Sequence, residues 1–504
     1  MDLAVEMDLA VEVNAVHQPG NFMPLPIAHS VSGIAGPLLL LGRGGARRRD
    51  VLLLLALSVF LANAPDLDFV PGLLVDDPSR FHHGPSHSLF LCLAVGALAG
   101  ALVAPRLASI SRAGVVVSSA LAMGLHPVLD CLAVDPGEPY GVQLLWPFSR
   151  AWIISPFPLF REVLRTGEGT RGFLPGLVNE NNAWAVVTEA LFAVFAVGGM
   201  AAATAWRRAD VRAHGRAALG AGAALAAGGL FYALQIEPNW IRVRHVEVRA
   251  GDGPRSFTLA HLSDARVSRE SFRERRALEI LARAAPDVTV LTGDTIDPSH
   301  GDWRVRLGPN LRSALDWLAE LSGEKFLAWG EGSWDERHAA AALDAVGVRV
   351  LEDESVASRT VPGLTVTGAA PRIPTGAWEA ERRLDARGDP AAGGVTSSGP
   401  PVSKGFRVLL SHSPALFREV DMHQFDLFLA GHAHGGRVCL PGGRPFVRDP
   451  DVPLEWMSGE HAFGGGLLSV SRGLGTSRPP ARAFCRPEIT LFHVTGMPPG
   501  DGRR

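Results

Sequence analysis

Apolar positions are laid out in two different ways along this chain. Before residue 236 they gather in six long runs, at roughly 25–41, 51–65, 88–104, 114–134, 184–205 and 217–235. Runs of this kind predict membrane-spanning helices, with 51–65 short enough to be tilted, re-entrant or helped by its flanks. After residue 240 the runs are short and alternate with helical patterns. W-I-R-V-R-H-V-E-V has period two and predicts a strand, as does S-F-T-L-A-H-L-S-D, which ends on a polar turn. F-R-E-R-R-A-L-E-I-L-A-R-A predicts an amphipathic helix, and D-V-T-V-L-T-G-D a buried strand ending on an aspartate. F-L-A-W-G-E-G, R-V-L-L-S-H-S-P and F-D-L-F-L-A-G-H-A-H repeat that pattern.

The loops between the long runs give an orientation. Arg43, Arg47, Arg48 and Arg49 lie in one loop, Arg106 and Arg112 in the next but one, and Arg207, Arg208, Arg212 and Arg216 in a third alternate loop. The positive-inside rule makes these loops cytoplasmic, so the chain start and everything after residue 236 are expected outside. The predicted location is the cell's inner membrane, with several passes and an extracytoplasmic C-terminal domain. The opening M-D-L-A-V-E repeat lacks a basic segment and a signal-cleavage pattern, so residues 1–24 are expected to be an extension, and export rests on the spans.

Composition adds little beyond this. At 504 residues the chain exceeds a single core, so a helical membrane domain over 25–236 and an α/β domain over 240–496 are expected, with a short tail over 497–504. The net charge of −3 gives no global basic signal for nucleic acid. The 4 cysteines form no C-x-x-C pair, and the sequence leaves open whether Cys439 and Cys485 meet. A Gly-, Pro- and Ser-rich stretch, 376–405, is expected to be an exposed insert.

Polar residues in the membrane half all fall toward one side. They are His29, Asp66 and Asp68 in N-A-P-D-L-D-F, His82, His83 and His87 in F-H-H-G-P-S-H-S, and His126 and Asp130 one helical turn apart in H-P-V-L-D. Ionisable groups at membrane depth are expensive, so their convergence predicts a site, and histidine with carboxylate suits Zn²⁺ or another divalent first-row metal. This order of motifs, followed by G-V-Q-L-L-W-P-F-S, resembles the YdjM-like family of membrane-bound metal-dependent hydrolases over about residues 25–160. The resemblance implies a metal site, with His29, Asp66, Asp68, His82, His87, His126 and Asp130 as candidate ligands.

In the second half, L-A-G-H-A-H-G-G-R follows a buried strand. Two histidines two residues apart on a turn can aim both imidazoles into one site, and the flanking glycines let the backbone approach closely. Polar residues at the carboxyl ends of successive strands mark the active edge of an α/β sheet. These strand ends, with V-S-R-G-L-G-T-S-R-P-P-A-R-A-F-C-R-P-E-I-T-L near the end, resemble the calcineurin-like metallophosphoesterases of the YkuE-like and YaeI-like branch. The resemblance spans about residues 255–495. It implies an αββα sandwich and a two-metal centre that orients a phosphate and activates a water.

Carried over by motif, the resemblance assigns metal binding to Asp264, Asp294, His412, His432 and His434. Two motifs depart from the family pattern. The histidine of D-x-H is Arg266, whose guanidinium cannot ligate a metal. Gly330-Glu331-Gly332-Ser333 replaces G-N-H-D, so Glu331 is a candidate ligand and Gly332 leaves the leaving-group histidine without a substitute, although Trp334, Asp335 and His338 lie nearby. Three readings stay open: a one-metal phosphoesterase in which Arg266 stabilises phosphate charge, a domain that binds a phosphorylated ligand, and a structural relic. The leading expectation is a membrane-anchored hydrolase acting on a lipid-linked or envelope phosphoester. Divalent Zn, Mn or Fe would be its cofactor, and Asp294, His432 and Arg266 its catalytic residues. The alternative is a non-enzymatic membrane sensor or scaffold. The sequence identifies no protein partner.

Overall fold

The computed structural model describes residues 25–41, 46–75, 80–133, 141–164, 175–206, 211–250, 256–268, 271–297, 303–330, 339–370, 405–418, 420, 422–477 and 479–496. The chain divides into two compact units, Met1–Gly228 and Gly229–Arg504.

The first unit is helical: α1 (Pro26–Leu41), α2 (Arg48–Asn63), α3 (Phe69–Leu73), α4 (Leu89–Val103), α5 (Arg112–Cys131), α6 (Glu180–Trp206) and α7 (Val211–Phe231). Among the described residues, four segments are long and apolar enough to cross a membrane: Leu89–Arg106, Arg112–Cys131, Glu180–Trp206 and His214–Asn239. A fifth forms if Arg48–Asn63 and Pro65–Gly72, bent by 45°, count as one span. The first of the six predicted runs is a helix, but its 16 residues reach only about 24 Å at 1.5 Å per residue, short of the hydrocarbon core. The bend after α2 has a local cause. Pro65 has no N–H to continue the helix and instead opens a 3-10 turn, Pro65–Asp68.

Helices α4 and α5 approach closely through small residues. A Cβ on Gly96 would stand 2.6 Å from the Ser119 carbonyl oxygen, and one on Gly100 would stand 2.9 Å from Val116 Cα. Each of these helices opens on a serine cap: Ser88 Oγ accepts from Leu91 N at 3.3 Å and Ser111 Oγ from Gly114 N at 3.1 Å.

The second unit holds two six-stranded mixed sheets. The first has the order β1 (Arg242–Ala250), β12 (Glu488–Gly496), β2 (Phe257–Ser263), β3 (Val288–Thr292), β4 (Glu324–Ala328), β5 (Val348–Leu351). Its pairs are parallel except β12 with β2. The second has the order β10 (Gly459–Phe463), β11 (Gly466–Val470), β9 (Leu427–Ala430), β8 (Phe406–Leu410), β7 (Leu364–Gly368), β6 (Glu354–Ala357), parallel in its centre and antiparallel at both edges.

Alternation decides the layers. Leu259, Val290 and Phe326 of the first sheet meet Val366, Val408 and Leu427 of the second in one buried core. The opposite face of the first sheet packs Leu262, Leu291 and Leu327 against Ala277 and Leu281 of α8 (Phe272–Ala284), Trp317 of α9 (Trp303–Glu320) and Leu343 of α10 (Ala340–Ala345). Among the described residues, the outer face of the second sheet is covered by 3-10 turns, Pro414–Arg418 and Leu454–Trp456, through Leu416, Phe417 and Trp456. The predicted strands and helix of this half are all present, and the parallel strand centres bring their carboxyl ends to common edges. The predicted insert falls almost wholly within residues 371–404, outside the described set.

The α4–α5 contact is testable. Gly96→Leu overpacks it, at a cost of about 1–3 kcal/mol, and should lower the apparent melting temperature of the full chain in detergent. Leu98→Val, at a position 61% exposed on the same helix, should leave it unchanged. Equal melting of both variants would refute the close approach.

Candidate metal centres

Four local features build the site in the helical unit. The turn at Pro65–Asp68 carries Asp66 and Asp68. A second proline-opened 3-10 turn, Pro85–His87, carries His87 just ahead of α4. His126 and Asp130 lie four residues apart on α5, and His29 comes from the first turn of α1. Their donor atoms converge. His126 Nε2 lies 3.2 Å from His87 Nε2, 3.2 Å from Asp130 Oδ2 and 3.3 Å from Asp66 Oδ1. His87 Nε2 lies 3.5 Å from both Asp66 Oδ1 and Asp130 Oδ2, and His29 Nε2 is 3.3 Å from Asp130 Oδ1. The His29 ring stacks on His126 at 3.9 Å.

The spacing tests whether a metal fits. Bonds of about 2.0–2.1 Å to a tetrahedral ion place neighbouring donors about 3.3–3.4 Å apart. The observed contacts cluster around that value. His29, His87, His126 and Asp130 are fully buried, and His29 Nε2 and both Asp130 oxygens have no hydrogen-bond partner. Buried polar atoms without partners are expensive, and a divalent cation satisfies all of them at once.

Other groups stand behind these donors. His126 Nδ1 contacts the Ala62 carbonyl at 2.7 Å, and His87 Nδ1 contacts Asp68 Oδ2 at 3.1 Å, so each ring turns Nε2 inward. Asp68 also takes His82 Nδ1 at 2.6 Å and the Ser86 hydroxyl at 2.5 Å. Asp68 thus backs the outer nitrogen of His87 in the manner of a carboxylate partner to metal-bound histidine, while His82 groups with His83 and His87, ligand atoms within 4.8 Å of one another, as a set that could itself hold an ion. Sequence reading missed Glu189, a buried acid on α6. Its carboxylate accepts the Leu25 N–H at 2.5 Å and the Ala28 N–H at 3.0 Å, capping α1 where His29 sits. Its signal was visible: one acid inside the apolar run A-V-V-T-E-A-L-F.

In the second unit the site forms at strand ends. Asp264 follows β2, Asp294 follows β3, His412 follows β8, and His432 and His434 follow β9. Asp264, Arg266, Asp294, His432 and His434 all have left-handed φ between 46° and 67°, the conformation of sharp turns off strand ends. Gly431 is required here, since a Cβ would stand 1.7 Å from Ser263 Oγ and 2.5 Å from Asp264 Oδ2.

Asp264, Asp294 and His412 bring their ligand atoms within 4.8 Å of one another. His412 Nε2 lies 3.8 Å from Asp294 Oδ2, 4.0 Å from Asp264 Oδ1 and 3.2 Å from His432 Nδ1, while His434 Nε2 is 3.4 Å from Asp264 Oδ1. His412 Nδ1 rests on the Thr292 carbonyl at 3.0 Å, which turns Nε2 toward the cluster. Asp264 Oδ1 and His434 Nε2 are buried without hydrogen-bond partners.

Burial raises the Asp264 carboxyl, but His434, His412, Ser263 and Arg266 outweigh it and hold the group below its usual range. Burial pushes the His434 imidazole down to about 3, against the opposing pull of Asp264. An ionised carboxylate beside a neutral imidazole is the pair of states that metal binding uses.

Arg266 forms an ion pair with Asp294, so the guanidinium stands where the sequence placed an intrusion. Glu331, Gly332, Trp334, Asp335 and His338 lie outside the described residues.

Two supports were missed by sequence reading. Asp449 Oδ2 contacts His432 Nε2 at 3.1 Å, and that contact holds the Asp449 carboxyl below its usual range. Arg482, fully buried, donates to the carbonyls of Arg472, Gly473, Gly475 and Cys485 at 2.5–3.1 Å and reaches within 3.4 Å of His434 Nδ1. It staples the C-terminal motif behind the G-H-A-H turn. Cys439 and Cys485 meet at the Gly435 carbonyl, at 3.2 and 3.6 Å, as free buried thiols.

Comparison with known proteins agrees with this division. Residues 23–207 match the family model of the YdjM inner membrane protein. The chain is 27% identical over 286 residues to an uncharacterized metallophosphoesterase, YkuE, of Bacillus subtilis, covering 55% of this chain and 93% of that protein. It is 27% identical over 283 residues to the phosphodiesterase YaeI of Escherichia coli, covering 53% and 93%. An uncharacterized metallophosphoesterase of Aquifex aeolicus is 25% identical over 278 residues, covering 52% and 94%. The chain is a membrane protein with an N-terminal region similar to the YdjM inner membrane protein and, over about half its length, homology to metallophosphoesterases.

Proposed function

We propose that this protein is a membrane-anchored metal-dependent phosphoesterase whose substrate is a lipid-linked or envelope phosphoester. The observation that carries the reading is the convergence of Asp264, Asp294 and His412 at the strand ends, with His432 Nδ1 against His412. These four side chains would hold a divalent ion, Zn, Mn or Fe. When bound, such an ion polarises the phosphoryl group and activates the attacking water. Arg266 supplies a fixed positive charge beside Asp294, suited to the phosphate oxygens. The Arg266–Asp294 pair thereby takes the place of a second cation. Gly332 offers no side chain to protonate the leaving oxygen, so the reading favours substrates whose leaving group departs without that help.

The membrane histidine–aspartate cluster is, in this reading, a second metal centre: His29, Asp66, His87, His126 and Asp130 hold the ion, and Asp68, His82 and Glu189 position them. The pattern of arginine-rich loops supports a multi-pass inner-membrane protein with its C-terminal domain outside. A site tethered there meets phosphoesters at headgroup level. The second reading is a non-enzymatic sensor or scaffold that binds a phosphorylated ligand, and the Arg266–Asp294 ion pair favours it, because it occupies a ligand carboxylate.

Hydrolysis of a generic phosphodiester by the full chain in detergent, with Mn²⁺ or Zn²⁺, separates the two. The enzyme reading expects turnover that chelation abolishes and that Asp294→Ala lowers by more than about 100-fold, beyond the cost of losing an outer partner. Phosphate binding without turnover in either form would establish the binder instead.

Two further outcomes follow from the geometry. Asp68→Asn should weaken metal retention by the membrane cluster by roughly 10–100-fold while leaving the second domain's metal unchanged; equal retention would remove Asp68 from the supporting role. Arg266→His should raise the metal bound by the second domain toward two ions per chain. An unchanged stoichiometry would show that Arg266 does not occupy the second position.

A further inference from the structure

We propose that the second domain carries a membrane-docking rim, formed by the hairpin around Leu440–Val447 together with Phe484 and Trp240, which seats on an anionic bilayer surface beside the metal cluster. The proposal rests on the chain being membrane-anchored and is independent of whether it hydrolyses a phosphoester.

The rim begins where the last span ends. The final turn of the span His214–Asn239 holds Glu237, fully buried, whose carboxylate accepts the N–H groups of Phe484, at 2.7 Å, and Cys485. Arg486 donates to the Trp240 and Ile241 carbonyls, each at 3.0 Å, and its guanidinium lies 4.2 Å over the Trp240 ring. On the other side, the Ala483 carbonyl accepts the Cys439 N–H at 2.7 Å, and the Val438 carbonyl accepts the Phe446 N–H at 2.8 Å. Hydrogen bonds thus link the end of the span, the 481–486 segment and the 438–446 hairpin into one continuous strip.

That strip presents large apolar side chains outward. Phe446 is 71% exposed, Phe484 52%, Val447 50%, Leu440 49% and Trp240 44%. Single exposed apolar residues are ordinary, but a contiguous set of five on one strip is an interaction surface. Phe484 is held at φ 53°, a left-handed conformation that a bulky residue rarely adopts, and this turns the ring outward while Cys485 stays buried.

Exposed Arg444 and Arg448 alternate with these side chains in L-P-G-G-R-P-F-V-R, and exposed Arg242 follows Trp240. Aromatic and aliphatic groups interleaved with arginine, next to a span end, match the headgroup layer of a membrane containing anionic lipid. The occupant is the bilayer itself because the strip continues directly from a membrane-spanning segment.

The position has a consequence for the site. A Cβ on Gly436 would meet the Val447 carbonyl at 2.6 Å, and Asp449, two residues past Val447, pairs with His432. Docking this hairpin would hold the G-H-A-H turn at headgroup level and present the cluster to phosphoesters lying in the interface, without extraction of the lipid.

The test uses the full chain in phosphatidylcholine–phosphatidylglycerol liposomes. Phe446→Cys is labelled with an environment-sensitive nitrobenzoxadiazole dye, the four native thiols being buried. The control label is placed at Glu352→Cys, an exposed position after β5 on the far edge of the first sheet from β1. The label at 446 should emit to the blue, be quenched by doxyl-labelled lipid, and show several-fold less iodide quenching than the label at 352. Equal iodide quenching at both positions, with no doxyl effect, would overturn the proposal. Protection of position 446 from both quenchers would overturn it too, since a protein partner would then cover the strip. None of these readouts requires turnover, so docking and the phosphoesterase reading fail separately.

Discussion

A carboxylate sealed away from water needs a positive partner, and both candidate centres are organised around that constraint. Asp130 and Asp264 are no more than 1% exposed, and each has oxygen that no hydrogen bond satisfies. The pairs that Asp66 and Asp130 make are with histidines. Imidazoles whose outer nitrogens are already engaged, as in His87, His126 and His412, present a bare Nε2 inward. An arrangement of that kind in an ordinary core would carry a large desolvation penalty. With a divalent ion at its centre it becomes a low-energy site. The proline-opened turns, the cap from Glu189 and the Arg482 staple all hold donors in place around it.

The two units meet the constraint differently. The helical cluster is made of histidines and aspartates alone, so positive charge reaches its carboxylates through a bound cation or through protonated imidazoles. In the α/β domain a guanidinium is built in, and Arg266 pairs with Asp294. A fixed cation cannot activate water, but it can neutralise phosphate. That difference sets the choice between an enzyme with one ion and a domain that mainly binds. Beside that fixed cation, His432 Nδ1 lies 3.2 Å from His412 Nε2 and His434 Nε2 lies 3.4 Å from Asp264 Oδ1.

Much of this was legible in the sequence because it depends on local pattern. The strands announced themselves by period and by the polar residues at their ends, and the aspartates and histidines of the clusters sat in short, ordered motifs. What escaped was contact across long sequence separations. Glu189 reaches Leu25 and Ala28 from about 160 residues away, and Arg482 stands behind a turn 48 residues earlier. Neither has a local signature beyond a charge in an unlikely place. The contacts of Asp68 with His82 and His87 were hidden for a related reason: a motif gives which residues gather, whereas the side a ring turns inward depends on the hydrogen bond made by its other nitrogen.

The most direct test is the metal content of the full-length protein, purified in detergent without chelator, beside His126→Ala and His412→Ala. The account expects divalent metal in both units, with each substitution removing the share of its own centre and sparing the other. Metal-free protein under metal-replete conditions, or a content that neither substitution changes, would contradict it.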